Sequence, residues 1–424
     1  MVGNKSAIAI IGALFFIFGF VTWLNGPLIT FVQLAFELTV FKAFLVTFVF
    51  YLSYFFFALP ASAILDRTGM KKGMALGLAV MSVGTFAFGQ FCMQRWYGGA
   101  LGGLFVIGAG LALLQTASNP YISILGPIES AARRIALMGI CNKVAGILAP
   151  IVLGALVLHG MDNFSEQVAA ADPAGKEVLL DAFAARIQAP YMVMAATLVL
   201  LGIGILLSPL PDLRTEQAET AADGDTLFRD TLFNYPHVWL GAAAIFVYVG
   251  VEVMAGDAIG TYGHSFGLPL DQTRFFTAFT LGAMLLGYVV GLVAIPRFVS
   301  QQRYLAWSAM LGVLLTLGAY LTKGYVSVGF VAALGFANAM MWPAIFPLGI
   351  HGLGRLIERG SALLVMGIAG GAIIPQLFAW LKQGHDFQLV FLLLMLPCYL
   401  FILYFAVRGH RVRVRGGAAL AATA

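Results

Sequence analysis

Hydrophobic positions in this chain do not alternate with polar ones, and they do not form a narrow helical stripe. They run on unbroken, in twelve stretches at about 7–34, 43–65, 73–94, 99–122, 136–158, 189–208, 237–262, 273–295, 303–322, 326–350, 361–381 and 388–407. A hydrocarbon core takes about 20 apolar residues in a helix. A lipid-exposed segment must satisfy its own backbone hydrogen bonds, so each run is predicted to be a helix. A barrel strand would be about half as long and would alternate. The pattern predicts an all-α membrane protein with twelve transmembrane helices.

The polar breaks organise those runs. The longest, from Ser208 to Pro236, carries Asp212, Glu216, Glu219, Asp223, Asp225 and Asp230 against Arg214 and Arg229. It reads as a solvated linker. The expected organisation is a six-helix bundle over 1–208, a linker over 209–236, a second six-helix bundle over 237–407 and a tail over 408–424. The break at 159–188 spaces Val178, Leu179, Phe183 and Ile187 like one face of a short surface helix. The first run follows Lys5 and outlasts a signal-peptide core of about 7–15 residues, so it is expected to be a retained membrane helix. Gly416–Ala424 is low-complexity and expected to be disordered.

Composition agrees. The chain is 61% hydrophobic and 10% charged, whereas soluble domains average about 45–50% and about 25%. That excludes a soluble enzyme, a disordered protein and a disulfide scaffold. The net charge of +5 is spread between apolar runs and makes no nucleic-acid face. With both termini placed inside, sixteen of the 24 Lys and Arg fall in inner breaks and seven in outer ones, leaving Lys143 within the fifth run. This bias predicts cytoplasmic termini and an inner-membrane location. Cys92, Cys141 and Cys398 lie in apolar runs with no CxxC, as packing residues do. The six histidines are scattered, with no HExxH and no paired-carboxylate spacing. No catalytic residue, metal site or cofactor is expected, and a membrane-embedded enzyme acting on lipid-linked sugars is a distant alternative.

The halves echo each other at an offset of 223: Gln115 with Asn338, Asn119-Pro120 with Trp342-Pro343, and Gly126 with Gly349. Pro150 and Pro375 lie 225 apart. Transporter repeats of this kind pack around a substrate site near the midplane. Polar residues inside spans are costly and mark such a site. Those that stand out are Thr22, Trp23, Asn25, Gln33, Gln115, Thr116, Ser118, Asn119, Asn142, Lys143, Tyr248, Glu252, Asp257, Asn338, Trp342 and Gln376. Amides offer both donors and acceptors to hydroxyls, and indole faces stack on sugar rings. With no arginine at mid-membrane, a neutral sugar fits better than a phosphate. Taken singly, each amide could instead be an interhelical hydrogen bond worth about 0.6 kcal/mol. Lys143 lies about 12 Å from the inner end of its run, too deep to reach the interface easily. Glu252 could bind sugar hydroxyls, carry a proton or pair with Lys143. Asp257 either reaches the outer interface or is embedded.

Several stretches resemble a known family. Leu65-Asp66-Arg67-Thr68-Gly69-Met70-Lys71-Lys72 resembles the loop signature of the major facilitator superfamily, with Ser62 where that motif usually has Gly. GLALLQTASNPYISILGPIESAARR (110–134) resembles the fucose permease branch, the fucose–galactose–glucose:proton symporters. So do FGFVTWLNGPLI (18–29), VYVGVEV (247–253) and MWPAIFPLGIHGLG (341–354). Within that branch the chain looks closer to glucose/galactose and N-acetylglucosamine permeases than to the fucose permease. The resemblance implies an alternating-access importer of a neutral hexose or N-acetylhexosamine, coupled to a cation. It implies sugar contacts at Asn25, Gln115, Asn119, Asn142, Glu252, Asn338 and Trp342, and a gating loop at Asp66, Arg67 and Gly69. Two departures bear on coupling: Gly26 and Gln115 stand where the fucose permease has carboxylates. The coupling candidates are then Glu252 and Asp257, with Lys143 beside them, or a sodium site of carbonyls and amides. An uncoupled facilitator is the alternative. The expected partners are a sugar, a proton or sodium and the lipid bilayer, and the expected working unit is a monomer.

Overall fold

The computed structural model describes residues 2–124, 131–159, 164–210, 232–295, 297–353 and 356–412. Most of the expected linker, most of the tail, Gly126 and the side chains of Asp66, Arg133 and Arg134 lie outside the described residues. Every regular element among the described residues is a helix. Spans one to five are Ala7–Ala35, Val40–Leu65, Met70–Met93, Tyr97–Asn119 and Ile135–Leu156. Span six is the helix Gln188–Leu207. Spans seven to twelve are Pro236–Gly256, Leu270–Ala294, Gln301–Leu321, Gly324–Ile350, Arg359–Leu381 and Phe387–Arg411. The twelve expected runs are thus twelve helices, in two pseudo-symmetric bundles of six. Phe56, Val83, Leu200, Leu314 and Leu393 are left exposed around the outside, where lipid is the solvent that suits them.

The expected surface helix begins earlier than its apolar face suggested, at Pro173, and runs to Ala185. Asp172 is its N-cap, accepting from the Gly175 amide at 3.2 Å, with proline in the first turn. Phe183 packs on Phe31 of span one at 5.2 Å between ring centroids. Lys176 pairs with Glu37 at 2.7 Å. The helix therefore lies over the end of span one remote from the chain termini.

Small residues set how closely the spans approach. Gly84 of span three and Gly103 of span four face each other so tightly that a Cβ on either would lie 2.7 or 2.9 Å from the other's carbonyl oxygen. Without a hydrophobic difference between lipid and helix, such close backbone packing is a main source of association.

The two bundles meet where span five packs on span eight, span two on span eleven, and the remote end of span one on the short helix Ile259–His264 that follows span seven. Two of these helices are broken near the same level. Span one stops at Trp23 and restarts at Asn25, because Pro27 has no N–H for the carbonyl of Trp23. Span seven stops at Gly256 and restarts at Ile259, with the Asp257 and Ala258 amides both donating to the Val253 carbonyl, at 2.7 and 3.2 Å. Span ten breaks after Asn338 and restarts at Met341, just before Pro343.

Candidate functional site

The first break places Trp23 at the interface between bundles. Its indole N–H donates to Asn142 Oδ1 at 3.3 Å, and Asn142 Nδ2 donates to the Phe15 carbonyl at 3.5 Å. The ring packs on both Gly146 of span five and Gly256 of span seven. Any side chain at either glycine would displace it. Lys143, next in chain to Asn142, sits 4.3 Å over the Trp23 ring. Its Nζ donates to Glu252 Oε1 across the bundle interface at 3.0 Å, with side chains only 7% and 12% exposed. Of the three readings open for Glu252, the structure realises the ion pair. A lone buried ammonium or carboxylate would cost several kcal/mol, and the indole face adds a cation–π contact worth up to about 2 kcal/mol when desolvated.

Other polar groups extend the cluster. Tyr248 lies against Glu252 and 6.5 Å from Trp342, which stacks on Phe346 at 5.6 Å. Asn338 accepts from the Tyr399 hydroxyl at 2.8 Å, and its Nδ2 has no partner. From the first bundle, Gln115 Nε2 donates to the Tyr54 hydroxyl at 2.9 Å. Tyr54 stacks with Tyr51 at 6.4 Å, and Tyr51 lies beside Asn25 and in the field of Glu252 and Asp257. Asn25 is buried with Nδ2 unpartnered. Asn119 is half-buried and already engaged in an interaction. The tyrosines at 51, 54, 248 and 399 link most of the expected residues, and three of them escaped the sequence reading. Tyr51 and Tyr54 share one helix face in span two, a three-residue spacing of hydroxyls in an apolar run that could have flagged them.

Asp257 is embedded rather than interfacial. It is 1% exposed, and neither carboxylate oxygen has a hydrogen-bond partner. The Gly26 backbone N–H lies beside it, outside strict hydrogen-bond geometry. Among the described residues, no three metal-ligating side chains come together.

The expected gating loop sits apart from this cluster, at the membrane face that holds the chain termini. Gly69 ends the span-two helix with φ 76° and ψ 165°, a region open essentially to glycine alone. Its amide donates to the Leu65 carbonyl at 2.8 Å. Arg67 is exposed, and Lys71 Nζ donates to the Ser208 carbonyl at 2.7 Å. On the opposite face the bundles are latched together. Arg274 Nη1 donates to the Leu158 carbonyl at the end of span five, at 2.7 Å. Gln376 Nε2 donates to the Phe41 carbonyl at 3.1 Å. On this face too, burial draws the Lys382 ammonium down to about 8, with its Nζ donating to Ser265 Oγ at 3.0 Å.

A family profile described as the Major Facilitator Superfamily matches residues 11–375. The chain is 31% identical over 401 residues to a glucose/galactose transporter of Brucella abortus, covering 94% of this chain and 92% of that one. It is 28% identical over 381 residues to the L-fucose-proton symporter of Escherichia coli, covering 89% and 86%. Among solved structures it is similar to the transporter FucP in the outward conformation, with a TM-score of 0.74 at 27% identity, over 94% of this chain and 97% of that one.

Proposed function

The chain belongs to the Major Facilitator Superfamily, and we propose that it imports a neutral hexose or N-acetylhexosamine by alternating access, coupled to a cation. Glucose, galactose and N-acetylglucosamine are the sugars that fit the reading. The observation that carries it is the buried cluster at the bundle interface, where amides, tyrosine hydroxyls and two indoles come from both halves. Sugar hydroxyls need paired donors and acceptors, which Asn25, Gln115, Asn119, Asn142 and Asn338 offer. The Nδ2 atoms of Asn25, beside the Tyr51 hydroxyl, and of Asn338 are buried donors that a sugar hydroxyl can engage. Trp342 offers a flat face for the C–H side of a ring, and Glu252 an acceptor. The ion pair joins the halves, so a sugar that bridges them can favour closure around itself, which is the requirement for transport by rocking.

In this reading Asp66, Arg67 and Gly69 form the gate at the terminal face, and Arg274 and Gln376 close the other. The termini lie in the cytoplasm, the membrane is the inner one, and a single chain suffices. The coupling cation is a proton, with Glu252, Asp257 and Lys143 as the charged groups at its site. A facilitator without coupling is the second reading, favoured by the Lys143–Glu252 pair, which already neutralises one carboxylate. Uptake of labelled glucose and N-acetylglucosamine into liposomes separates the two. An inward proton gradient in sodium-free buffer should drive accumulation that a protonophore abolishes. Uptake that only equilibrates would leave the facilitator.

A further inference from the structure

We infer that Asp257 is the residue that takes up the coupling proton, and that it does so at the crossing of two broken helices, where Gly26 leaves room for the halves to close over a neutral carboxyl. The inference rests on the proposed cation-coupled sugar transport and narrows it from three charged groups to one.

Geometry distinguishes Asp257 from Glu252. Glu252 has a cation at 3.0 Å. Asp257, 1% exposed, has no cation and no side-chain donor, and the group set against it is the neutral Gly26 backbone N–H. The charged and titratable groups in its field are Glu252, Lys143 and the Tyr51 phenol. Lys143 and Glu252 cancel, so an ionised Asp257 would leave one uncompensated negative charge in the closed interface. Such a charge costs several kcal/mol when buried without partners. One bound proton restores neutrality.

The surroundings favour a proton over a metal cation. The carbonyls at the end of the span-seven helix would be natural cation ligands. Here each already accepts a hydrogen bond, Gly256 from Thr277 Oγ1 at 2.8 Å and Ala255 from Thr280 Oγ1 at 2.7 Å, which leaves one lone pair on each.

Gly26 makes the crossing possible. A Cβ there would lie 2.7 Å from Thr277 Oγ1, 3.3 Å from Asp257 Cα and 3.4 Å from Asp257 Oδ1. Closure on the face remote from the termini therefore brings the backbone of span one directly onto the carboxyl. When the halves part on that face, the carboxylate meets water and binds a proton, forming an O–H bond. The neutral group allows closure. When the halves part on the terminal face, the O–H bond breaks and the proton leaves to water, while the Lys143–Glu252 pair takes no part in the transfer.

The test uses the purified full chain in liposomes, with labelled glucose, in two assays. Counterflow measures exchange of preloaded unlabelled sugar for label with no proton gradient, and proton-gradient-driven uptake measures accumulation. Asp257→Asn is expected to keep counterflow and to lose accumulation, bringing a gradient-driven ratio of about ten or more down to one. Its counterflow should also lose its dependence on pH. Glu252→Gln is expected to lower both assays in step. Proton-driven accumulation by Asp257→Asn, or accumulation lost selectively in Glu252→Gln, would overturn the assignment while leaving the transport reading intact. Sodium-driven accumulation insensitive to a protonophore would overturn it as well. Wild-type protein that shows no counterflow of any hexose would instead remove the transport reading beneath it. Should Asp257→Asn fail to fold, Asp257→Ser, smaller and equally unable to carry a charge, is read in the same two assays. Counterflow kept with accumulation lost supports the site, and retained proton-driven accumulation refutes it.

Discussion

Replacing Lys143 with Met tests whether the bundle interface is held by charge. The substitution leaves the Glu252 carboxyl, 12% exposed, without its cation. Breaking a buried pair from one side costs about 3–5 kcal/mol, while replacing both partners with apolar or neutral groups is near neutral. At about 2.1 cal/mol/K per residue, the 424 residues have an unfolding entropy of about 0.9 kcal/mol/K. The single variant should then melt about 3–6 °C lower. Lys143→Met combined with Glu252→Gln should recover most of that loss. What remains lost is the contact over Trp23, worth up to about 2 kcal/mol. Thermal unfolding in one detergent at pH 7, for wild type, both single variants and the double variant, gives the coupling energy directly. A single variant within 1 °C of wild type, or a double variant melting below either single one, would refute a buried ion pair as the bond between the halves.

Arg274→Gln removes the guanidinium that reaches the Leu158 carbonyl. Losing a charged hydrogen bond worth about 1.5–3 kcal/mol should shift the closed–open balance about tenfold or more toward opening on that face, read as faster labelling of a cysteine placed at Thr277, which faces Gly26 and is buried. Tyr54→Phe strips the acceptor from the Gln115 amide. With about 1 kcal/mol lost, KM for sugar should rise about fivefold with little change in maximal rate, as measured by initial uptake. Lys382 has a folded value of about 8, below the unfolded value of about 10.4. The folded chain binds fewer protons in that window, so stability should rise as pH climbs from about 8 to about 10, with the charging penalty fully present below 8. Lys382→Met should flatten that rise, measured as melting temperature against pH.

The helices and their number were legible because burial in lipid demands long unbroken apolar runs, and nothing in the tertiary fold can override that demand. Two of the breaks were legible in part, since Pro27 and Pro343 remove amide donors at fixed places. The break at Asp257 was not: no proline marks it, and Thr277 and Thr280 satisfy the freed carbonyls from another span. That is also why the depth of Asp257 could not be read by counting residues along its run. The pairing of Lys143 with Glu252 spans 109 positions, and no local pattern encodes it. Each residue alone was conspicuous as a charge in an apolar run, but what neutralises it is decided by which helices meet. The same logic explains the tyrosines. A phenol is apolar enough to pass unnoticed in a hydrophobic run, and only the assembled interface reveals that its hydroxyl faces an amide. The first spans of the two halves are both broken, and each presents its break to the other. The carbonyls released in span seven are met within its own half, by Thr277 and Thr280, whereas the Asp257 carboxyl is covered by Gly26 of the opposite half. Enclosure of that carboxyl depends on the halves being closed, so in the proposed reading proton binding and closure become one event rather than two.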